Sequence, residues 1–188
     1  MLPLVTDANW PSEIADMRAG FAGRLNVYRI MAHHPRLLRS WQDFRNHVVI
    51  DTRLGAELSE VVILRSGLNL GSAYEWAHHV HRARKLGMSD ARILAVSGDG
   101  QDLGAQDALL IRATDQLFAH KRLLAKTQAA LVATLGKEAM LDLMATVAHY
   151  SMLGFMLNSF DVDIDADVSA QSPLAPHAPF TPVTDDLP

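Results

Sequence analysis

The sequence predicts an all-α domain, and three observations support this fold class. Apolar residues recur at helical spacing in most segments between residues 12 and 160. Serine or proline begins several of these segments and glycine ends others, as helix caps require. The chain also lacks a glycine-rich phosphate loop and a convincing strand. The chain has 188 residues, 49% of them hydrophobic, which is enough to form one hydrophobic core. We predict an arm over residues 1–12, a helical domain over 13–160 and an acidic, proline-rich tail over 161–188.

The first two helices are predicted on either side of Pro35. Ser12 is positioned as the N-cap of a helix that extends to residue 33. His33 and His34 then finish this helix, where imidazole side chains suit the carbonyl end of the helix dipole. The second helix begins at Pro35, because proline is tolerated in a first turn, and it extends to Ile50.

A helical hairpin is predicted at the centre of the domain, over residues 55–70 and 72–87. Ser72 can cap the second helix, and Glu75 three residues later completes an S-x-x-E capping box. Gly87 provides a left-handed C-cap. Because the connection is only about two residues long, the two helices are expected to pack against each other along their inward faces.

Further helices are predicted between this hairpin and the tail. A short helix begins at the Ser89 cap, and a polar loop follows it. The helical segments after the loop cover residues 106–121, 124–136 and 137–160. The tail lacks periodicity, so it is expected to be extended or partly disordered.

Composition excludes several classes of function. The formal charge of −4 and the isoelectric point near 6.1 provide no broad basic field, so a nucleic-acid partner is not expected. The absence of cysteine excludes disulfides, thiolate metal sites and cysteine nucleophiles. The N-terminus does not resemble a signal peptide, and no stretch of about 18 uncharged apolar residues follows. A cytoplasmic protein without a membrane partner is therefore expected.

The stretch "YEWAHHVHRARKLG", residues 74–87, is the candidate site. Glu75 and His79 are four residues apart and therefore neighbours on one helix face. A carboxylate beside an imidazole orients the ring and raises its basicity, as a general acid/base pair requires. Burial would raise the pKa of Glu75 and strengthen this effect. In the simpler alternative, Glu75 is only the capping partner of Ser72.

A metal site is the third interpretation of this stretch. Glu75-x-x-His78 has the spacing of half a di-iron site in a ferritin-like bundle. Such a site needs a second Glu-x-x-His, and the other histidine segments, "HKRLL" and "VAHYS", have no glutamate three residues before the histidine. We therefore expect no metal site here. Arg82, Arg84 and Lys85 are attributed to compensation of the helix dipole.

Four stretches resemble the carboxymuconolactone decarboxylase family. "LSEVVILRSG" and "GSAYEWAHHVHRARKLGMSDARILAV" resemble its core, and "NVYRIMAHHPRLLRSWQDF" and "DALLIRATDQLFAH" resemble its flanks, so that the resemblance covers roughly residues 20 to 160. Its most specific piece is Tyr74-Glu75-Trp76-x-x-His79, followed by Ala83 and Gly87. The resemblance implies an alkylhydroperoxidase D-like helical bundle with a central helical hairpin.

The redox branch of this family carries a C-x-x-C-x-x-x-H motif with a glutamate on the preceding helix. Aligning His79 with the histidine of that motif puts Ser72 and Glu75 at the two cysteines and Glu60 at the upstream glutamate. Without these thiols, peroxide reduction through a disulfide cannot occur, so thiol peroxidase activity is not expected. The proton-relay positions Glu60 and His79 remain.

The decarboxylase branch implies cofactor-free loss of carbon dioxide from a carboxylated γ-lactone such as 4-carboxymuconolactone. The electrons left behind spread onto the lactone carbonyl oxygen, so no metal or pyridoxal is obligatory. Such a site needs donors to the developing oxyanion, a cation for substrate carboxylates and a proton for carbon. We assign the proton donor to His79, with Glu75 and Glu60 as orienting and relay groups, and substrate binding to Tyr74, Trp76 and Arg65. For Arg65, five residues after Glu60, the alternative is a pair with an acidic residue on another helix. The resemblance also implies a homo-oligomer, a trimer or hexamer. The alternative is a non-catalytic oligomeric member of the family that binds a small ligand.

Overall fold

The computed structural model describes residues 2–100, 102–171 and 173–177. These ranges are mainly helical and contain no strand, which confirms the predicted all-α class. A π-helical turn, His47–Asp51, follows the third α-helix. The α-helices are α1 (Ala15–Arg18), α2 (Asn26–Met31), α3 (Pro35–Asn46), α4 (Ala56–Asn69), α5 (Ala73–Lys85), α6 (Asp90–Val96), α7 (Ala105–His120), α8 (Ala125–Ser159) and α9 (Ala166–Ser169).

The single helix predicted from Ser12 to residue 33 is wrong. The structure has two short helices there, α1 and α2, separated by a turn that contains Gly20 and Gly23. A Cβ atom on Gly23 would lie 1.9 Å from the carbonyl oxygen of Arg18, so a larger residue would clash with the backbone. The turn directs α2 back into the core, where Val27 and Tyr28 are buried.

The predicted hairpin is present as α4 and α5. Gly71 takes a positive φ of 64° between the two helices, and the Ser72 hydroxyl accepts a hydrogen bond from the Glu75 amide at 3.4 Å. The two helices approach closely at Gly67, where a Cβ atom would lie 3.2 Å from the Cβ of Glu75. Helix α4 also packs against α7 and α8, and this central position is why it is buried on nearly all of its faces.

Helix α8 is interrupted at Gly136, whose φ of 87° lies outside the helical range, as the two predicted segments require. Within the described residues, α8 is the one helix long and apolar enough to cross a membrane on length and composition alone. Half of the most apolar stretch of this helix is buried inside the protein. Leu143 and Leu153 are among the core residues it contributes.

The described part of the predicted tail packs on the helical domain. Asp165 and Val168 are buried, and the indole N–H of Trp76 donates a hydrogen bond to the Leu174 carbonyl at 2.6 Å. The N-terminal arm also packs on its own chain, since the amide of Val5 donates to the Arg29 carbonyl at 3.3 Å. The rest of the tail, residues 172 and 178–188, lies outside the described residues, and the boundary at residue 160 stays a prediction.

Candidate functional site

A buried histidine–glutamate pair connects the two helices of the hairpin. Glu60 of α4 is fully buried and His79 of α5 is 6% exposed, and the His79 Nδ1 lies 2.6 Å from the Glu60 Oε2. An ionised carboxylate only accepts hydrogen bonds, so the Nδ1 carries the hydrogen and donates it. In the neutral ring the Nε2 is then left as the acceptor, and this is the nitrogen available for proton transfer.

Glu75 faces this free nitrogen. Its Oε2 lies 3.5 Å from the His79 Nε2, and its other oxygen is buried without a hydrogen-bond partner among the described residues. Burial, with a smaller contribution from the negative charge of Glu60, raises the pKa of Glu75 to about 8. At neutral pH the site therefore pairs a protonated carboxyl with an imidazole nitrogen that can accept its proton.

The capping role of Glu75 is only partial. Its backbone amide donates to the Ser72 hydroxyl, as the capping-box pattern predicts. The reciprocal bond from the Ser72 amide is absent, because that amide donates instead to the Gly67 carbonyl at 2.9 Å. The Glu75 carboxyl is therefore free of the cap and points toward His79.

Two arginines bring positive charge to the site. The Arg82 Nε lies 2.9 Å from the Glu60 Oε1, so this residue, attributed from sequence to the helix dipole, forms an ion pair with the buried carboxylate. Arg45 of α3 differs, because no carboxylate of the described residues lies within ion-pair distance of it. Its guanidinium lies 4.6 Å from the centre of the Phe21 ring, and its Nε is buried without a hydrogen-bond partner.

These groups surround a small cavity with a volume of about 140 Å³. The polar side chains that line it are Arg45, Tyr74, Glu75, His78, His79 and Arg82. Tyr28 and Tyr150 add aromatic walls, and burial raises the pKa of both phenols, so both stay protonated. A cavity of about 150 Å³ holds a benzene ring, so this one has room for one small ring.

Tyr74 lines the cavity, as expected for a substrate-binding residue, but its hydroxyl is already engaged. It donates a short hydrogen bond to the Asp165 carboxylate and accepts one from the Val27 amide at 3.5 Å. Burial and this carboxylate raise the pKa of Tyr74. The Tyr74 hydroxyl therefore has no free hydrogen to donate to a substrate.

The structure does not bring Trp76 and Arg65 to this cavity. The indole of Trp76 bonds Leu174 and lines a separate apolar cavity. Arg65 donates to both carboxylate oxygens of Asp115, at 2.7 and 2.8 Å. Five residues along a helix rotate a side chain by about 140°, which places Arg65 away from the face that carries Glu60.

Sequence reasoning missed several residues that line this cavity. Arg45 and Tyr28 come from helices distant in sequence, and no local pattern marks them. Arg82 was detectable, because it lies three residues after His79 and therefore on the same face. His149 has a packing role: its ring stacks on Trp41 with centroids 4.3 Å apart, and burial lowers its pKa to about 3.

The described residues contain no group of three or more histidine, aspartate or glutamate side chains that converge as metal ligands. The Glu75-x-x-His78 spacing does not form half a metal site. Glu75 faces His79, whereas the His78 Nε2 lies 2.9 Å from the Asp165 carboxylate. The two side chains are thus directed to different partners.

Comparison with known proteins supports this architecture. Residues 35–117 match the sequence profile of the carboxymuconolactone decarboxylase family. No curated protein matches the chain significantly. An uncharacterised peroxidase-related protein from Silicibacter sp. TM1040 has a TM-score of 0.76 at 13% identity, over 90% of this chain and 93% of that one.

A second solved structure is an alanine variant of the debrominase Bmp8 in complex with 2,3,4-tribromopyrrole. It has a TM-score of 0.71 at 16% identity, over 90% of this chain and 94% of that one. At these identities the likeness establishes the fold, which is the alkylhydroperoxidase D-like helical bundle. Residues 35–117 of this chain, which contains no cysteine, are thus similar to the carboxymuconolactone decarboxylase family.

Proposed function

We propose that this protein is a cofactor-free lyase that removes carbon dioxide from a small carboxylated γ-lactone such as 4-carboxymuconolactone. The observation that carries the proposal is the Glu60–His79 pair facing a protonated Glu75 in a cavity of ring size. This arrangement supplies a proton donor and an acceptor that are buried together, as general acid/base chemistry needs.

The chemistry requires no bound electron sink. When the bond between the ring carbon and the carboxylate breaks, carbon dioxide leaves and the electron pair spreads onto the lactone carbonyl oxygen as a dienolate. Glu75 is the group that holds a proton at neutral pH, so it returns the proton to carbon, directly or through the His79 Nε2. Water then reprotonates Glu75. In this mechanism Glu75 is the proton donor, and Glu60 and His79 form its relay. The roles of Glu75 and His79 are therefore the reverse of those expected from sequence.

The size of the cavity supports a five-membered ring as the substrate. Its volume of about 140 Å³ fits one small ring with few substituents. The debrominase of the same fold has 2,3,4-tribromopyrrole, also a small five-membered ring, in its structure. The absence of cysteine in the present chain disfavours a thiol-dependent reaction on such a ring and leaves proton transfer.

The proposal is tested by incubating the purified protein with 4-carboxymuconolactone and a panel of related γ-lactone carboxylates while carbon dioxide release is measured. Release above the uncatalysed background, lost in His79→Gln, is the expected result. The alternative, a non-catalytic ligand-binding member, predicts background rates for both proteins together with saturable binding of the lactones in calorimetry.

Arg45 is proposed to bind the substrate carboxylate, the role that Arg65 cannot fill. Arg45→Met is expected to raise KM roughly 10- to 100-fold, because a hydrogen bond to a charged group contributes about 1.5–3 kcal/mol. Arg45→Lys keeps the charge but loses the planar fork, so its KM should lie between the two. Steady-state kinetics on the best lactone measures both.

The matched control is Arg36→Met, because Arg36 lies on the same helix with its side chain exposed. Its KM should equal that of the wild type. Equal KM values for Arg45→Met and Arg36→Met would exclude Arg45 as the carboxylate-binding group.

We also propose that the protein forms a homo-oligomer, as a trimer or hexamer. The resemblance to the family supports this, and Ile50, Leu141 and Phe155, each more than half exposed, are apolar side chains available to an interface. Sedimentation velocity at micromolar concentration tests it, and a monomer there would contradict the proposal.

A further inference from the structure

Asp165 joins three distant parts of the chain at the wall of the cavity. It lies after α8, beyond the residues that match the family profile, and is only 6% exposed. Its Oδ2 accepts the hydrogen of the Tyr74 hydroxyl and lies 2.9 Å from the His78 Nε2. Its Oδ1 accepts a hydrogen bond at 3.0 Å from the amide of Asn26, the first residue of α2. One carboxylate therefore fixes two cavity-lining side chains of α5.

The bonds of His78 define its protonation state. Its Nδ1 lies 2.9 Å from the carbonyl oxygen of Tyr74, and its Nε2 faces the Asp165 carboxylate. Both neighbours are acceptors, so the ring bonds both of them only as the doubly protonated imidazolium. Although burial acts to raise it, the pKa of Asp165 is held below its ordinary value by the hydrogen bonds from His78 and Tyr74. The aspartate is thus the ionised partner of this cation.

The adjacent histidines of α5 therefore differ in what they present to the cavity. His78 has both nitrogens occupied and stacks on the Tyr74 ring, with centroids 3.9 Å apart and planes 15° apart. His79 has one nitrogen on Glu60 and the other facing Glu75. Only His79 has a nitrogen available to exchange a proton.

We propose that Asp165 is a positioning residue of the site. By holding Tyr74 and His78 it fixes one cavity wall, and it keeps His78 out of the proton transfer that Glu75 and His79 perform. The catalytic part of this proposal depends on the proposed decarboxylase function. The part that concerns His78 does not, and it has its own measurement.

The experiment compares wild type, Asp165→Asn and Asp167→Asn. Asp167 is the matched control, because it lies two residues away in the same segment with its side chain exposed. Each protein is treated at pH 7 with diethyl pyrocarbonate, which acylates unprotonated imidazole nitrogens, and the modified histidines are located by mass spectrometry. The exposed His34 serves as the internal reference.

In the wild type and in Asp167→Asn, His78 should stay unmodified while His34 reacts. In Asp165→Asn, His78 should react at least about tenfold faster, because the amide cannot replace the carboxylate as an ionic partner. On an accepted lactone, kcat of Asp165→Asn should fall about tenfold or more, with a smaller change in KM. The reason is that Asp165 holds Tyr74 and His78 in place without touching the substrate.

Equal reactivity of His78 in the wild type and Asp165→Asn would overturn the assignment, as would an equal effect of Asp167→Asn. If Asp165→Asn does not fold, the ¹⁵N spectrum of wild-type histidines decides, because a His78 ring with only one protonated nitrogen at pH 7 contradicts the proposal. A wild type that is inactive on every lactone while His78 is protected by Asp165 would remove the decarboxylase function and leave the Asp165–His78 assignment standing.

Discussion

Replacing Glu75 by glutamine is expected to stabilise the protein at pH 8 and to remove its activity. The folded chain keeps Glu75 protonated up to a pKa of about 8, whereas the unfolded chain releases the proton near the ordinary value of 4.5. The folded state therefore binds more protons between these values, and the free energy of unfolding falls as the pH rises through this window. By about pH 8 the burial of Glu75 lowers the free energy of unfolding by on the order of 4 kcal/mol.

Glutamine is neutral at every pH, so Glu75→Gln lacks this penalty. Urea unfolding at pH 5 and pH 8 should show a smaller loss of stability with rising pH in the variant than in the wild type. The exposed Glu13→Gln is the matched control and should follow the wild type. Parallel pH dependence of Glu75→Gln and the wild type would mean that Glu75 is ionised in the folded protein.

The same proton determines the activity. Glu75 must be protonated to return a proton to carbon. Its titration should therefore leave kcat unchanged below about pH 8 and lower kcat above that pH. Glu75→Gln should reduce kcat by about 10²- to 10⁴-fold at every pH and lose the alkaline limb. A variant that is more stable at pH 8 yet inactive would separate the catalytic role of Glu75 from any role in folding.

His79→Gln is expected to reduce kcat by about three orders of magnitude, because it removes the nitrogen that exchanges the proton with Glu75. It also removes the hydrogen that the Nδ1 donates to the buried Glu60 carboxylate, which should cost about 1–3 kcal/mol of stability. Kinetics and urea unfolding measure the two effects separately. His81→Gln, on the same helix, is the control and should keep the wild-type kcat.

The double variant Glu60→Gln with His79→Gln provides a stricter test. If the two residues act as one unit, the double variant should be no slower than His79→Gln alone. Multiplicative losses of kcat would indicate that Glu60 acts on the substrate independently of His79 and would contradict the relay proposed here.

The sequence predicted the hairpin and the residues that meet within it. Gly71 and Ser72 mark the turn locally, and a two-residue connection forces α4 and α5 side by side. The spacing of Glu75 and His79 on one helix then follows from helix geometry alone. The first predicted helix was wrong because apolar spacing continues through Gly20 and Gly23, and only the contact at Arg18 shows that the chain must turn there.

What the sequence by itself determined about this protein is the helical class, the absence of thiol chemistry and the Glu75–His79 register, because composition and helix period are local properties. The tertiary structure decided which cation reaches the cavity. It excluded Arg65, which bonds Asp115, and supplied Arg45 from α3 instead. It also recruited Asp165 from beyond α8, and it placed Glu75 where burial holds a proton on it at neutral pH. Desolvation and long-range charge pairs depend on which distant segments pack together, and no local pattern encodes them.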